Sequence, residues 1–278
     1  MIMKLIDFKT SYKKLILKNR PSKIIKSPYV GDAVDEYGKP YLVHMPGLGL
    51  GGQCVSGSKF YATPSSSNSK TDFTFQSVLL NEPKYEDIII GGNPFHAEKV
   101  SKYIIKNKLI KKYSNYELIK KPKNYIYNGD LFIKNENEII TIEVKNVVCA
   151  TYDPSRKINR NESVFYDSTC DPFERSGIYP NGSINQLWQG KKVVSERSIR
   201  QLEKMINLTK RGFRFIVLFI VNRDDCYVFK PNWQRDPIYS EYLNKAFDIG
   251  IDIIAVKLSW INNKCYFNNK IKIDLKKW

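Results

Sequence analysis

Three features of this 278-residue sequence predict a small antiparallel β unit followed by an α/β unit. Residues from about 14 to 80 alternate short β-type segments with clusters of Gly, Pro and Ser, as a small barrel or sandwich does. From about residue 93, amphipathic stretches alternate with strands that are apolar throughout, the signature of helices covering both faces of a sheet. An apolar content of 42% over this length allows each unit a core of its own. The division is expected near residue 90, giving units 1–90 and 91–278, the second carrying an insertion at about 151–192.

The β segments of the first unit are "KLILK", "YLVHM", "KFYAT" and "TDFTFQSVLL", separated by "PGLGLGGQ" and "TPSSSNSK". The stretch "GGNPFHAEKVSKYIIKNKLI" then reads as a helix, with Asn93 as cap, Pro94 at its first position, and Val100, Ile104 and Leu109 near one stripe. Residues 129–146, "GDLFIKNENEIITIEVKN", read as a hairpin, and 151–192 as unpatterned polar chain. "SERSIRQLEKMINLTKRG" predicts a second helix capped by Ser195, with Ile199, Leu202 and Ile206 facing inward and Gly212 beyond its end. "FRFIVLFIV" is a buried central strand, "IYSEYLNKAFDIG" a helix stopped by Gly250, and "IDIIAVKL" another buried strand. The tail "KCYFNNKIKIDL" is expected to fold as a hairpin turned at Asn268 and Asn269.

Composition narrows the chemistry. The 45 Lys and Arg against 28 Asp and Glu leave a formal charge of +17, which favours a polyanionic partner such as nucleic acid; enrichment in Lys, Asn, Ile and Tyr also fits an AT-rich genome. Five scattered cysteines without a CxxC pair argue against a disulfide framework or a structural zinc site, and read as core thiols. With only His44 and His96 in the chain, histidine-rich metal sites are excluded, so a catalytic metal would be held mainly by carboxylates. No run approaches the roughly 20 apolar residues that span a bilayer, and "MIMKLIDFKTSYKKLILKNR" lacks signal-peptide features. An intracellular, soluble protein is expected.

Within the hairpin, Glu143 and Lys145 share one strand face while Ile142 and Val144 take the other. If "NENE" (135–138) closes a four-residue loop, Lys134 pairs with Ile139 and Asp130 falls opposite Glu143. Asp130, Glu143 and Lys145 then converge; a slip of one residue would turn Asp130 away. Two such carboxylates suit Mg²⁺ or Mn²⁺ bound together with a substrate phosphate, with Lys145 orienting a water or stabilising developing charge. This Asp, Glu-x-Lys arrangement resembles that of PD-(D/E)xK nucleases, although the spacing alone also fits a solvated hairpin face.

Further segments resemble one family in the right order. "VHMPGLG" (43–49) resembles its Val-His-x-Pro-Asn-Thr-Gly, "NPFHAEKVSKYIIKNKLI" (93–110) its helix, and "GDLFI" and "IEVKN" its Asp-Phe and Ile-Glu-Val-Lys strands. "VSERSIRQLEKM" (194–205) resembles Val-Thr-x-Arg-Gly-x-x-His-Leu, and "FKPNWQRDPIYSEYL" (229–243) keeps Phe-x-Pro, four residues, then Asp-Pro-x-Tyr. Over roughly residues 20–258 the sequence thus resembles the sugar fermentation stimulation protein (SfsA) family, in which an OB-like DNA-binding barrel precedes a PD-(D/E)xK nuclease-like α/β domain with a mixed central sheet. The resemblance implies Asp130, Glu143 and Lys145 as the metal and catalytic group, with Glu196 and Arg197 on a helix facing them. Arg197, Arg200 and Lys204 lie at helical spacing, as phosphate contacts would, and His44 falls in the barrel motif as a binding or structural residue. Glu98 stands where the family usually has Asn and could add a carboxylate to the metal pair, or be an exposed helical acid.

The expectation is therefore a DNA-binding, Mg²⁺- or Mn²⁺-dependent nuclease that hydrolyses phosphodiester bonds. A DNA-binding regulator on a non-cutting nuclease fold is the alternative, and an RNA-binding or RNA-processing protein a third, since OB-like barrels take single strands of either kind. A homodimer would suit cleavage of both strands of a duplex, although no interface is readable in the sequence.

Overall fold

In this computed structural model, residues 3–7, 12–47, 50, 53–80, 88–151, 175–261 and 264–278 are described. Seven strands come first: β1 (Met3–Asp7), β2 (Lys13–Asn19), β3 (Val30–Val34), β4 (Pro40–His44), β5 (Lys59–Pro64), β6 (Phe73–Leu79) and β7 (Ile89–Gly91). Strands β2 to β6 form a five-strand closed barrel in the order β4-β3-β2-β5-β6, closed by a parallel β4–β6 contact that pairs Val43 with Phe73. Its core follows the period-2 alternation: Leu15 and Leu17 of β2 point inward, against Phe60 and Ala62 of β5 and Phe75 of β6. The four expected segments became β2, β4, β5 and β6. Strands β3 and β7 add to the expected set: "VGDAV" carries Gly and Asp in its middle, against strand preference, and β7 has only three residues.

The remaining elements are α1 (Phe95–Lys106), β8 (Glu117–Ile119), β9 (Leu131–Lys134), β10 (Ile139–Val147), β11 (Cys149–Ala150), β12 (Arg175–Tyr179), β13 (Gln186–Trp188), β14 (Lys191–Val193), α2 (Glu196–Thr209), β15 (Arg214–Val221), β16 (Cys226–Pro231), α3 (Pro237–Asp248), β17 (Asp252–Ile261) and β18 (Lys264–Ile273). A mixed ten-strand sheet runs β11-β12-β16-β18-β17-β15-β10-β9-β8, with β1 also pairing with β18. Residues 3–7, inside the expected 1–90 unit, thus belong to the larger sheet.

Helix α1 covers one face of that sheet. Its Val100 and Ile104 pack on Ile140 and Ile142 of β10, Leu218 of β15 and Val256 of β17. Helices α2 and α3 cover the other, where Ile199, Leu202 and Leu243 meet Val217 and Phe219. Such two-sided burial requires the continuous apolar runs read in β15 and β17.

The two units meet closely at Gly91. A Cβ there would lie 2.3 Å from the Trp260 ring, so only glycine lets β7 reach the indole. The Gly91 N–H donates to the Asn222 carbonyl (2.8 Å), and Trp260 Nε1 donates to Asn222 Oδ1 (3.2 Å).

Four expectations need correction. The tail is one ten-residue strand, β18, antiparallel to β17. Asn268 sits at an irregularity in that pairing and donates to Ser259 Oγ (3.0 Å) instead of making a turn. Ser195 precedes α2, but its hydroxyl donates to Ser198 Oγ (2.8 Å), with no cap on an amide. Of the 151–192 stretch, residues 152–174 lie outside the described residues; the rest contains β12, inside the sheet, and a β13–β14 hairpin. Helix α1 begins at Phe95 with Pro94 at its cap position, one residue later than expected, while Asn93 Oδ1 accepts from the Phe95 N–H (3.1 Å). The four cysteines among the described residues are buried and unbridged, and Cys170 lies outside them. No helix among the described residues is long and apolar enough to cross a membrane.

Candidate functional site

The hairpin has the register that the site requires. Ile139 pairs with Lys134, and the ladder continues through Ile142 with Leu131. The loop 135–138 is held by Asn135, whose Oδ1 accepts from the Asn137 and Glu138 N–H groups (both 2.9 Å). One step beyond the ladder the Asp130 N–H donates to the Ile142 carbonyl (3.1 Å), and the Val144 N–H donates to Asp130 Oδ2 (2.7 Å). Gly129 makes this approach possible, because a Cβ there would lie 2.2 Å from Thr141 Cγ2.

Period-2 alternation sends Ile140 and Ile142 toward α1, and Thr141, Glu143, Lys145 and Val147 toward α2. Glu143 and Lys145 are only 3% and 6% exposed, so this charged pair is not a solvated hairpin face. Lys145 Nζ donates to Glu143 Oε1 (2.8 Å) and to Gln201 Oε1 (2.6 Å). Gln201 Nε2 donates to the same Glu143 Oε1 (2.6 Å), and the Tyr127 hydroxyl donates to Glu143 Oε2 (3.0 Å).

Burial, then the Glu143 charge, raises the Asp130 carboxyl above its ordinary value; the Val144 amide and Lys145 oppose this, and Glu98 adds to it. Burial and Glu143 likewise raise the Tyr127 hydroxyl, so Tyr127 remains a donor. Glu98 thus reaches Asp130 electrostatically, but it is exposed and ion-paired with Lys102 (2.6 Å). Among the described residues no three His, Cys, Asp or Glu side chains form a ready metal cluster. Two carboxylates suffice for a hard cation that keeps most of its waters.

On α2, the residue that meets the Glu143–Lys145 pair is Gln201. Glu196 is ion-paired with Arg200 one turn on, and its N–H donates to Gln186 Oε1 (2.9 Å). Lys204 Nζ lies 5.6 Å from the Tyr127 ring centroid, and Arg197 acts electrostatically on the same tyrosine. Both are exposed at the site's rim, as is Arg200. His44 is half-buried at the end of β4, paired with Val30, away from this cluster. His96 is buried on the Trp260 ring (centroids 5.4 Å apart), and burial together with Lys99 pushes its pKa down to about 4, so it packs as a neutral ring.

Comparison with known proteins matches the geometry to a family. Residues 192–264, from β14 through the start of β18, match the family model described as the sugar fermentation stimulation protein RE domain. A sugar fermentation stimulation protein homolog of Desulforamulus reducens is 24% identical over 234 residues, covering 84% of this chain and 82% of that protein. Another, of Sulfolobus acidocaldarius, is 34% identical over 148 residues, 53% of this chain and 64% of that protein. The solved structure of Pyrococcus furiosus SfsA in complex with Ca²⁺ superposes with a TM-score of 0.73 at 19% identity, covering 98% of this chain and 99% of that one. Along most of its length the chain is thus similar to sugar fermentation stimulation proteins.

Its family-like blocks serve the site in unequal ways. In the SfsA-like "FKPNWQRDPIY" block, Asp236 caps α3 by accepting from the Tyr239 N–H (3.0 Å), and its other oxygen accepts from the Val194 (2.9 Å) and Ser195 (3.2 Å) N–H groups at the start of α2. This conspicuous motif fixes where α2, and therefore Gln201, lies over β10. Gln201 itself falls at the histidine of the Val-Thr-x-Arg-Gly-x-x-His-Leu pattern. That departure was the signal by which sequence reasoning could have found it; nothing in the sequence ties Tyr127 to Glu143.

Proposed function

We propose that this SfsA-like protein is a divalent-metal-dependent deoxyribonuclease in which Asp130 and Glu143 hold Mg²⁺ or Mn²⁺ beside Lys145. The observation that carries the reading is the shared strand face of these three side chains, where burial and then the Glu143 charge raise Asp130. Oxygen donors from two carboxylates fit a hard cation, and the name of the P. furiosus structure records Ca²⁺ bound to that relative. When bound, the metal would polarise a scissile phosphodiester and lower the pKa of an attacking water. Asp130 and Glu143 would hold it, Tyr127 fixes Glu143 Oε2, and Lys145 would offer its ammonium to the developing phosphate charge. Exposed Arg197, Arg200 and Lys204 contact flanking phosphates, and the formal charge of +17 strengthens association with nucleic acid.

A second reading, a DNA-binding protein that does not cut, is favoured by one observation: both Glu143 oxygens already accept hydrogen bonds within the protein. Cleavage of plasmid, linear duplex, single-stranded DNA and RNA with Mg²⁺ or Mn²⁺ tests the two. The nuclease reading expects cleavage of DNA that Glu143→Gln and Lys145→Ala abolish while salt-sensitive binding persists. Binding without any cleavage that these variants change would leave the second reading, and a preference for RNA would move the substrate class.

A further inference from the structure

The closed state of Glu143 has a specific construction. Glu143 Oε1 accepts from both Lys145 Nζ (2.8 Å) and Gln201 Nε2 (2.6 Å), and Gln201 Oε1 accepts from Lys145 Nζ (2.6 Å). Carboxylate, ammonium and amide thus form a ring of three hydrogen bonds, and Tyr127 occupies the remaining carboxylate oxygen. All the donors aimed at Glu143 present positive charge to the lone pairs that a cation would need.

We propose that the Lys145–Gln201 bridge is a gate on the metal site, which holds Glu143 closed until a divalent cation displaces Lys145 from Oε1, and which then keeps the displaced ammonium in place on Gln201 Oε1. The proposal rests on the metal-dependent reading of the site and says how that site is loaded. The choice of an amide follows from it. One end of Gln201 donates to the carboxylate and the other accepts from the ammonium, so breaking the contact to Glu143 leaves the second contact available. An apolar side chain would give Lys145 no alternative acceptor, and the ammonium would remain on the carboxylate in competition with the cation. Gln201 is positioned for this role by α2, whose first residues are tied to Asp236. Gln201 is a positioning residue here, acting through Lys145 and Glu143.

The test is calorimetric titration of Mn²⁺ into metal-free protein without nucleic acid, for wild type, Lys145→Met, Gln201→Met, the double variant and Glu143→Gln. Lys145→Met removes the competitor and should tighten Mn²⁺ binding by roughly tenfold, within the range that coupling between touching groups spans. Gln201→Met should weaken it several-fold in the wild-type background, whereas once Lys145 is absent it should not weaken it, since there it only removes the Nε2 donor from Glu143 Oε1; that non-additivity is what a merely structural glutamine would not produce. If Lys145→Met binds no tighter, or Gln201→Met acts equally in both backgrounds, the gate is overturned while the metal reading stands. If wild type and Lys145→Met both take up Mn²⁺ no better than Glu143→Gln, the metal reading falls and the gate with it. Should Lys145→Met fail to unfold cooperatively, Lys145→Leu takes its place in both backgrounds, with the same supporting and overturning outcomes.

Discussion

Two buried ionic clusters sit within the same sheet, and they are built for different purposes. Near the end of β15, Asp225 is fully buried and accepts from Arg223 Nε (2.6 Å) and a second Arg223 nitrogen (2.5 Å), while Arg175 of β12 donates from a third position (3.3 Å). Arg223 also donates to the Val148 carbonyl (3.2 Å). A planar guanidinium gripping a carboxylate with two parallel bonds has one good geometry and no proton to lose. The Glu143 cluster uses the opposite materials: a single-point ammonium on a flexible stem and an amide that can exchange partners. The first cluster locks strands together, and the second can be opened.

The largest effect expected from breaking this contrast is at the locked cluster. Asp225→Ala leaves two buried guanidinium groups without their carboxylate, and loss of one partner of a buried pair costs about 3–5 kcal/mol. Glu143→Gln should cost less, because the isosteric amide leaves no cavity, retains one acceptor oxygen, and leaves Lys145 bonded to Gln201 Oε1. Denaturant unfolding of both variants checks the ranking. The locked cluster also predicts an acid limb. Burial alone would raise Asp225, but Arg223 and Arg175 hold it below its ordinary 3.8. Its stabilisation is therefore present above pH 3.8 and is lost as pH falls through the lowered folded value.

A smaller effect is expected at Asp236, which joins neither cluster but aligns one of them. Burial raises its carboxyl against the Tyr239, Ser195 and Val194 amides that it accepts from. Asp236→Ala should cost about 1–2 kcal/mol, as the loss of an N-cap does. It should also weaken Mn²⁺ binding in the same direction as Gln201→Met, because α2 loses its anchor over β10. A variant that is destabilised but binds Mn²⁺ like wild type would show that α2 keeps its position without Asp236.

The same contrast explains what could be read from the chain. The hairpin register was legible, because a four-residue loop and the Ile142/Val144 alternation admit one arrangement with the apolar face buried. The buried strands β15 and β17 were legible from their uninterrupted apolar runs. Arg175 was not, since a charged residue beside Ser and Gly in a polar stretch gives no sign that a distant Asp225 will bury it. Asn268 and Asn269 looked like a turn by residue type, yet pairing along β17 turns that preference into an irregularity inside one strand. Gln201 and Tyr127 lie 56 to 58 and 16 positions from the groups they bond, a closeness set by how α2 and the chain before β9 pack. Local pattern names the groups on one element, but not the partners that decide whether those groups are locked or free.

The smallest expected effect sharpens the boundary of the openable cluster. Glu98→Gln removes an exposed i,i+4 pair with Lys102 (2.6 Å), worth about 0.3–0.5 kcal/mol, so stability should hardly change. Its informative consequence lies at Asp130, which burial raises most, Glu143 next and Glu98 least. A raised carboxyl favours the folded state most while it is protonated, so the Asp130 contribution is present below its ordinary 3.8 and is lost as pH rises through the raised folded value. Glu98→Gln should bring the Asp130 titration, followed by carboxyl NMR, partway down and leave Mn²⁺ affinity within about twofold of wild type, since charges at this exposure are well screened. A marked loss of Mn²⁺ affinity would instead make Glu98 a ligand. The cluster would then extend across the sheet edge from the α2 side to α1, and its contrast with the closed Arg223–Asp225 grip would rest on three carboxylates instead of two.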